Sequence, residues 1–296
     1  MSYSVKAIED ELFKSDVAIL AAEDWAPQYS KDPKTHAALL RLEASMMRVL
    51  RRYFKNISDD APSFINKPAY IYALEEVKSA EVKAADNFSV QAIVENADLG
   101  SYDGTFIKVM FEEIAVGVFT GAKSGESIYS KYRGIEKTDA FIQRYAMERA
   151  AYLVGKRLGK DGVVVDNPKA EYRVTDKIRD DIRSSIKTSL SLRENHEEAV
   201  FRLKDVIKSP KRAELIAQTE AVNSFQGGIL QFGKQTGAVG KESQALDSDD
   251  QCADYEAEGI VELDYLYGGE DNGPAYHPRC RCALRLVFPE EMELNK

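Results

Sequence analysis

Apolar and polar positions alternate with a helical period over most of the chain. Residues 3–25 place Val5, Ile8, Leu12, Phe13, Val17, Ile19 and Leu20 close to helical spacing, and Pro27 closes that segment. Thr35 is expected to cap a helix to about Asn56, along which Leu39, Leu42, Met46, Val49 and Tyr53 repeat every three or four residues. The stretch from Asp59 to Pro68, with its Asp-Asp pair, two prolines and Asn66, has the chemistry of a boundary. Helical patterning resumes over 70–85, 106–119 and 138–159, punctuated by Gly100, Gly104, Gly117, Gly121, Gly125 and Gly134. The piece from Gly121 to Ser127 (G-A-K-S-G-E-S) lacks the G-x-x-x-x-G-K-[ST] spacing and a preceding strand. It therefore reads as a loop between helices, not as a phosphate cradle.

Past Gly159 the element ends become legible. A β-branched run from Gly162 to Asn167, stopped by Asn-Pro, predicts one short strand or extended connector. A helix from Thr175 repeats Ile178, Ile182, Ile186 and Leu190. The next has Asn195 as N-cap and Glu198 three residues on, a capping-box pattern, with Ala199, Val200, Leu203, Val206 and Ile207 on its apolar face. A third opens with Ser209 as cap and Pro210 in the first turn, where a missing N–H costs nothing; it is expected to reach Gly227-Gly228 and resume toward Gly237. The fold class expected is mainly α: long helices and helical hairpins, with a small α+β C-terminal module ending in a β-hairpin. The divisions expected are residues 1–60, 61–172 and 173–296.

Composition narrows the class. With 44% hydrophobic and 30% charged residues over 296 positions, the chain has the makings of a sizeable core. No apolar run approaches the roughly 20 residues that span a bilayer, and no apolar leader segment is apparent near Met1, so neither membrane nor secretion is expected. A net charge of −9 argues against nonspecific nucleic-acid binding by the whole surface. The helix from Thr35 nevertheless carries Arg41, Arg48, Arg51 and Arg52, which read either as a solvated face or as a local DNA contact.

Candidate chemistry collects near the C-terminus. All three cysteines, Cys252, Cys280 and Cys282, lie there with His277, and one imidazole with three thiolates is a full tetrahedral set for structural zinc. There is no C-x-x-C pair, because Tyr255 stands three residues after Cys252; metal-free buried thiols are the other reading. A nucleophilic cysteine served by His277 is weighed against, since closeness in sequence does not by itself give that geometry. Upstream, Arg212, Ile216, Thr219 and Glu220 share one arc of a helix. They read as a polar anchor for the tail, with Arg212 forking a carboxylate and Glu220 accepting from the tail, or as surface charges.

Three separated pieces then agree with one family. R-A-E-L-I-A-Q-T-E (Arg212 to Glu220), the Asp-rich approach to Cys252, and G-P-A-Y-H-P-R-C-R-C (Gly273 to Cys282) resemble the phage Mu F-like family, the minor head or head-morphogenesis proteins of tailed bacteriophages. The resemblance covers about Val174 to Phe288. It implies a non-enzymatic component assembled into the procapsid near the portal, made in the host cytoplasm and placed in the capsid interior. Portal, capsid and scaffold proteins would be its partners, and packaged DNA a further contact. It also implies that Arg212, Glu214, Thr219 and Glu220 lock the C-terminal module, and it leaves Cys252, His277, Cys280 and Cys282 as the remaining zinc ligands. Two alternatives stay open: a metal- or thiol-dependent enzyme using the His/Cys cluster, and a DNA-binding module using the arginine-bearing helix.

Overall fold

The computed structural model describes residues 33–79, 90–94, 98–132, 138–170, 173–245, 250–269 and 271–293. The helix expected over residues 3–25 lies outside them. The described chain is mainly helical with a small C-terminal β-sheet, as the patterning predicts. Helices α1 (Pro33–Asp59), α2 (Ala61–Phe64), α3 (Lys67–Ser79), α4 (Val90–Ile93), α5 (Asp103–Ile128) and α6 (Thr138–Leu153) come first. A hairpin of β1 (Lys156–Leu158) and β2 (Val164–Asp166) leads to α7 (Val174–Ser191), α8 (His196–Ile207) and α9 (Pro210–Thr236). Then follow β3 (Gly240–Gln244), α10 (Asp250–Ala257), β4 (Ile260–Val261), β5 (Ala283–Val287) and α11 (Pro289–Glu293). The chain folds as two compact units. One draws on Val49–Val109 and Met147–Ala213; the other draws on the stretch ending at Arg48, on Met110–Ala146 and on Glu214–Lys296.

The first of these is a helical unit. Ile178, Ile182, Ile186 and Leu190 of α7 and Ala199, Leu203 and Ile207 of α8 are all buried, which is what their four-residue repeat requires. The expected capping box is present: Asn195 Oδ1 accepts from the Glu197 and Glu198 amides, and Glu198 reaches back to the Asn195 N–H at 2.7 Å. Gly155, at φ +75, ends α6 where the sequence suggested more helix, and residues 156–158 pair with Val164–Asp166 as an antiparallel hairpin. Arg212 corrects an expectation. It lies in this unit, meets Asp181 of α7, donates to the Ile207 carbonyl at 2.8 Å, and stacks 5.4 Å from the Phe54 ring centroid. It therefore fastens three helices of the helical unit and does not anchor the tail.

The second unit is built on a close helix crossing. The supposed loop from Gly121 to Ser127 is interior to α5, and the expected break at Gly227-Gly228 is interior to α9. Both departures have one cause. A side-chain carbon at Gly121 would overlap the Phe225 carbonyl, one at Gly117 the Ser224 side chain, and one at Gly228 the Val118 carbonyl. Only glycine lets two backbones approach so nearly, and the close packing that results offsets a helix cost of about 1 kcal/mol per glycine. Against this pair lies a three-stranded antiparallel sheet in the order β4-β3-β5, with Gly240 opposite Val287 and Gln244 opposite Ala283. Leu284, Leu286 and Val287 turn into the core, and the Leu286 amide donates to the Tyr129 hydroxyl at 2.8 Å.

Candidate metal centre

The loop between β4 and β5 has few ladder hydrogen bonds, so its amides need other acceptors. Helix α9 supplies them from one stripe. Thr219 Oγ1 accepts from the Arg279 amide at 3.2 Å, Asn223 Oδ1 from the Ala275 amide at 2.8 Å, and Gln226 Oε1 from the buried Leu284 amide at 3.1 Å. These three residues stand at i, i+4 and i+7, hence on one face. Of the expected anchor residues, Thr219 belongs to this stripe. Glu220 is buried beside it and accepts from Asn223 Nδ2 at 3.4 Å, while Glu214 makes only a half-exposed pair with Arg279 at 3.9 Å. Asn223 and Gln226 escaped the sequence reading. Their signal was the i, i+4, i+7 spacing of Thr219, Asn223 and Gln226, on a helix that carries other polar residues as well.

Held in this way, residues 277–280 make a tight turn. The Cys280 amide donates to the His277 carbonyl at 3.1 Å, with Pro278 second in the turn and Arg279 third at φ +66. That is the pattern of a type II turn, in which proline presets the second position and the third must be left-handed. The turn puts His277 and Cys280 side by side, and α10 brings Cys252 to them. Cys252 Sγ, His277 Nε2 and Cys280 Sγ lie within 4.8 Å of one another, and Cys252 Sγ is 3.1 Å from His277 Nε2.

The donor set suits a soft divalent ion. Both thiols are fully buried and His277 is half-buried. His277 Nδ1 lies 2.9 Å from the Pro278 carbonyl, which can only accept, so Nδ1 carries a hydrogen and Nε2 is the nitrogen that faces Cys252. A histidine whose second nitrogen is fixed by a carbonyl is the usual arrangement of a zinc ligand. The hydrogen bond from Cys282 pushes the Cys280 thiol down to about 6, helped by the Cys282 and Tyr276 backbones and by His277, against burial. Neighbouring zinc ligands stand roughly 3.5–4 Å apart in a tetrahedron, so these residues can hold the ion with little movement.

Cys282 is the fourth ligand of the expected set and is buried against Cys280. The two thiols are hydrogen-bonded to each other, while Arg281 between them reaches away to another partner. Arg281 meets Glu43 of α1 through both nitrogens, at 2.6 and 3.3 Å. Where a C-x-x-C pair would place another thiol, Tyr255 packs against the rings of Tyr276 and Tyr267, at 4.7 and 5.4 Å. Tyr276 donates to Ser243 Oγ at 2.9 Å, and burial raises its hydroxyl far above the ordinary value. Of the arginines proposed for DNA, Arg48, Arg51 and Arg52 are exposed on α1 and Arg41 is half-buried.

The site is thus a Cys–His–Cys set in a sheet module backed by helices. That geometry corrects the expectation of a non-enzymatic chain. That expectation followed from the family resemblance, and closeness in sequence was held not to give Cys–His geometry; yet Cys252 and His277 are in contact and, with Cys280, can hold a metal ion. Such a cluster is what a metal- or thiol-dependent active site requires. Compared with known proteins, the chain matches no family model, no curated protein and no solved structure. Among the described residues no helix is long and apolar enough to cross a membrane.

Proposed function

We propose that this chain binds zinc through Cys252, His277 and Cys280, and that it serves in the head morphogenesis of a tailed bacteriophage. The observation that carries the first part is the convergence of three ligand atoms within 4.8 Å, with the second nitrogen of His277 held by a carbonyl. The second part rests on the resemblance of three motif pieces. It is supported by the packing of two of them: Thr219 of the first bonds Arg279 of the last. On this reading the assembling head, with its portal and capsid proteins, is the partner, and the exposed arginines of α1 are available to DNA. Metal analysis of the purified chain tests the first part; a stoichiometric zinc lost on Cys280→Ser is expected, and a metal-free protein under reducing conditions overturns it. Sedimentation of lysate containing the complete head proteins tests the second. The chain should travel with procapsids or portal, and a chain found only at the top of the gradient removes the assignment.

A metal-dependent enzyme is the second reading, and one observation favours it. Only three ligand atoms meet among the described residues, so the fourth position falls either to Cys282 or to water. Four protein ligands close a zinc site for structure, whereas three and a water leave it open for chemistry. X-ray absorption of the zinc form decides between them. Three sulfurs and one nitrogen favour the closed site; two sulfurs, one nitrogen and an oxygen favour the enzyme.

A further inference from the structure

Arg281 stands between the two thiols of the C-x-C segment, and its guanidinium lies in the fold instead of in water. Its side chain is 17% exposed and that of its partner Glu43 is 11% exposed, and the two meet through two hydrogen bonds. They are 238 residues apart in the chain. Glu43 lies on α1 between Leu42 and Met46, both fully buried, so lifting this part of α1 from its packing would part the pair. A pair this dry tolerates little freedom, because either charge alone would be left unsolvated. Both of its neighbours along the chain are thiols turned toward the cluster, and Cys280 is also the last residue of the turn that carries His277. The position of Arg281 and the positions of the ligands are therefore one conformational choice.

We propose that Glu43 and Arg281 are positioning residues of the metal centre, and that zinc binding and the docking of residues 37–48 of α1 are thermodynamically linked. The inference rests on the zinc reading above. With Glu43 in place, Arg281 holds residues 280–282 extended with both thiols inward, and the ligands are preorganised. With zinc in place, the same segment is fixed from the other side, and Arg281 is presented to Glu43. Linkage requires the two effects to be equal: the factor by which docking of this helix segment tightens zinc is the factor by which zinc favours the docked helix. Outer-shell partners of metal ligands change affinity by about 10–100-fold, and the same range is expected here.

The experiment uses the full chain and zinc ion. Affinity is measured by competition with a chromophoric chelator for the natural protein, Glu43→Gln and Arg281→Lys. Hydrogen exchange is followed in peptides covering residues 37–48, with zinc and with chelator. The natural protein should bind zinc, and zinc should slow exchange in 37–48 by about tenfold or more. Glu43→Gln should weaken zinc by a similar factor and abolish the zinc effect on exchange, while Arg281→Lys, which keeps one hydrogen bond, should fall between. Unchanged zinc affinity in Glu43→Gln, or exchange in 37–48 indifferent to zinc, overturns the linkage while the metal site stands. A natural protein that binds no zinc overturns the metal reading, and the linkage with it. Should Glu43→Gln fail to fold, exchange in the natural protein alone still decides.

Discussion

Lys241 is the second residue of β3, with none of its surface in water. Its ammonium donates to the carbonyls of Tyr265 and Asn272 and to the Asn272 side chain, and it lies 5.4 Å from the Tyr267 ring centroid. One buried cation thus holds both ends of the segment that leads into the metal turn. Burial, with a smaller contribution from Lys234, lowers its pKa to about 8. A lysine lowered in the folded state makes the unfolded chain the better proton binder between about 8 and the ordinary value near 10.4, so stability rises with pH in that window. Urea unfolding from about pH 7.5 to 9.5, below the tyrosine range, should show a gain of up to about 2 kcal/mol that Lys241→Met lacks. A flat profile in the natural protein would show that the three acceptors hold the ammonium charged throughout. At the same scale, Asn223→Ala leaves the buried Ala275 amide without its acceptor, and a loss of about 1–3 kcal/mol in denaturant unfolding is expected.

At the scale of elements, the crossing of α5 and α9 is the least forgiving contact. Gly121→Ala pushes a methyl group into the Phe225 carbonyl, so the helices must separate although alanine is the better helix former. Calorimetry should show a destabilisation of about 1–3 kcal/mol or more; an unchanged or higher melting temperature would mean that the crossing relaxes freely. This crossing also marks where sequence legibility stops. Periodicity and caps identified α1, α7 and α8 because those signals are local: Ile178 to Leu190 repeat every four residues, and Asn195 and Glu198 cap within one turn. Glycine carries two meanings, and the surroundings alone choose between them. Gly155 ends a helix at positive φ, whereas Gly121 and Gly228 lie within helices because another backbone passes over them. The metal cluster was legible as a residue set, since Cys252, His277, Cys280 and Cys282 stood out by type. Its supports were not, since Thr219, Asn223 and Gln226 look like ordinary helix polars until the amides they accept are in view, and Glu43 lies 238 residues from Arg281.

For the whole molecule, zinc would add stability without adding core. The unit that holds the cluster is pinned by the glycine crossing and by β3 and β5, but the described part of residues 262–282 contains almost no regular structure and leans on α9, Lys241 and the cluster itself. A ligand bound by the folded state alone stabilises it by RT ln(1 + [L]/Kd), so each tenfold rise in free zinc above Kd adds about 1.4 kcal/mol. The melting temperature should therefore climb steadily with the logarithm of buffered free zinc and drop on chelation. Cys252→Ser should remove that dependence while leaving the chelated value nearly unchanged, because the serine replaces a buried thiol in a cluster that is already without metal. Exchange under chelation should accelerate first at the Ala275 and Arg279 amides, which α9 holds by side chains alone, and only later in β3 and β5, where the ladder shares the load. The slope in free zinc distinguishes a metal that belongs to the fold from thiols that merely scavenge it. Scavenging by the unfolded chain lowers the melting temperature as zinc rises, because the metal then favours the wrong state.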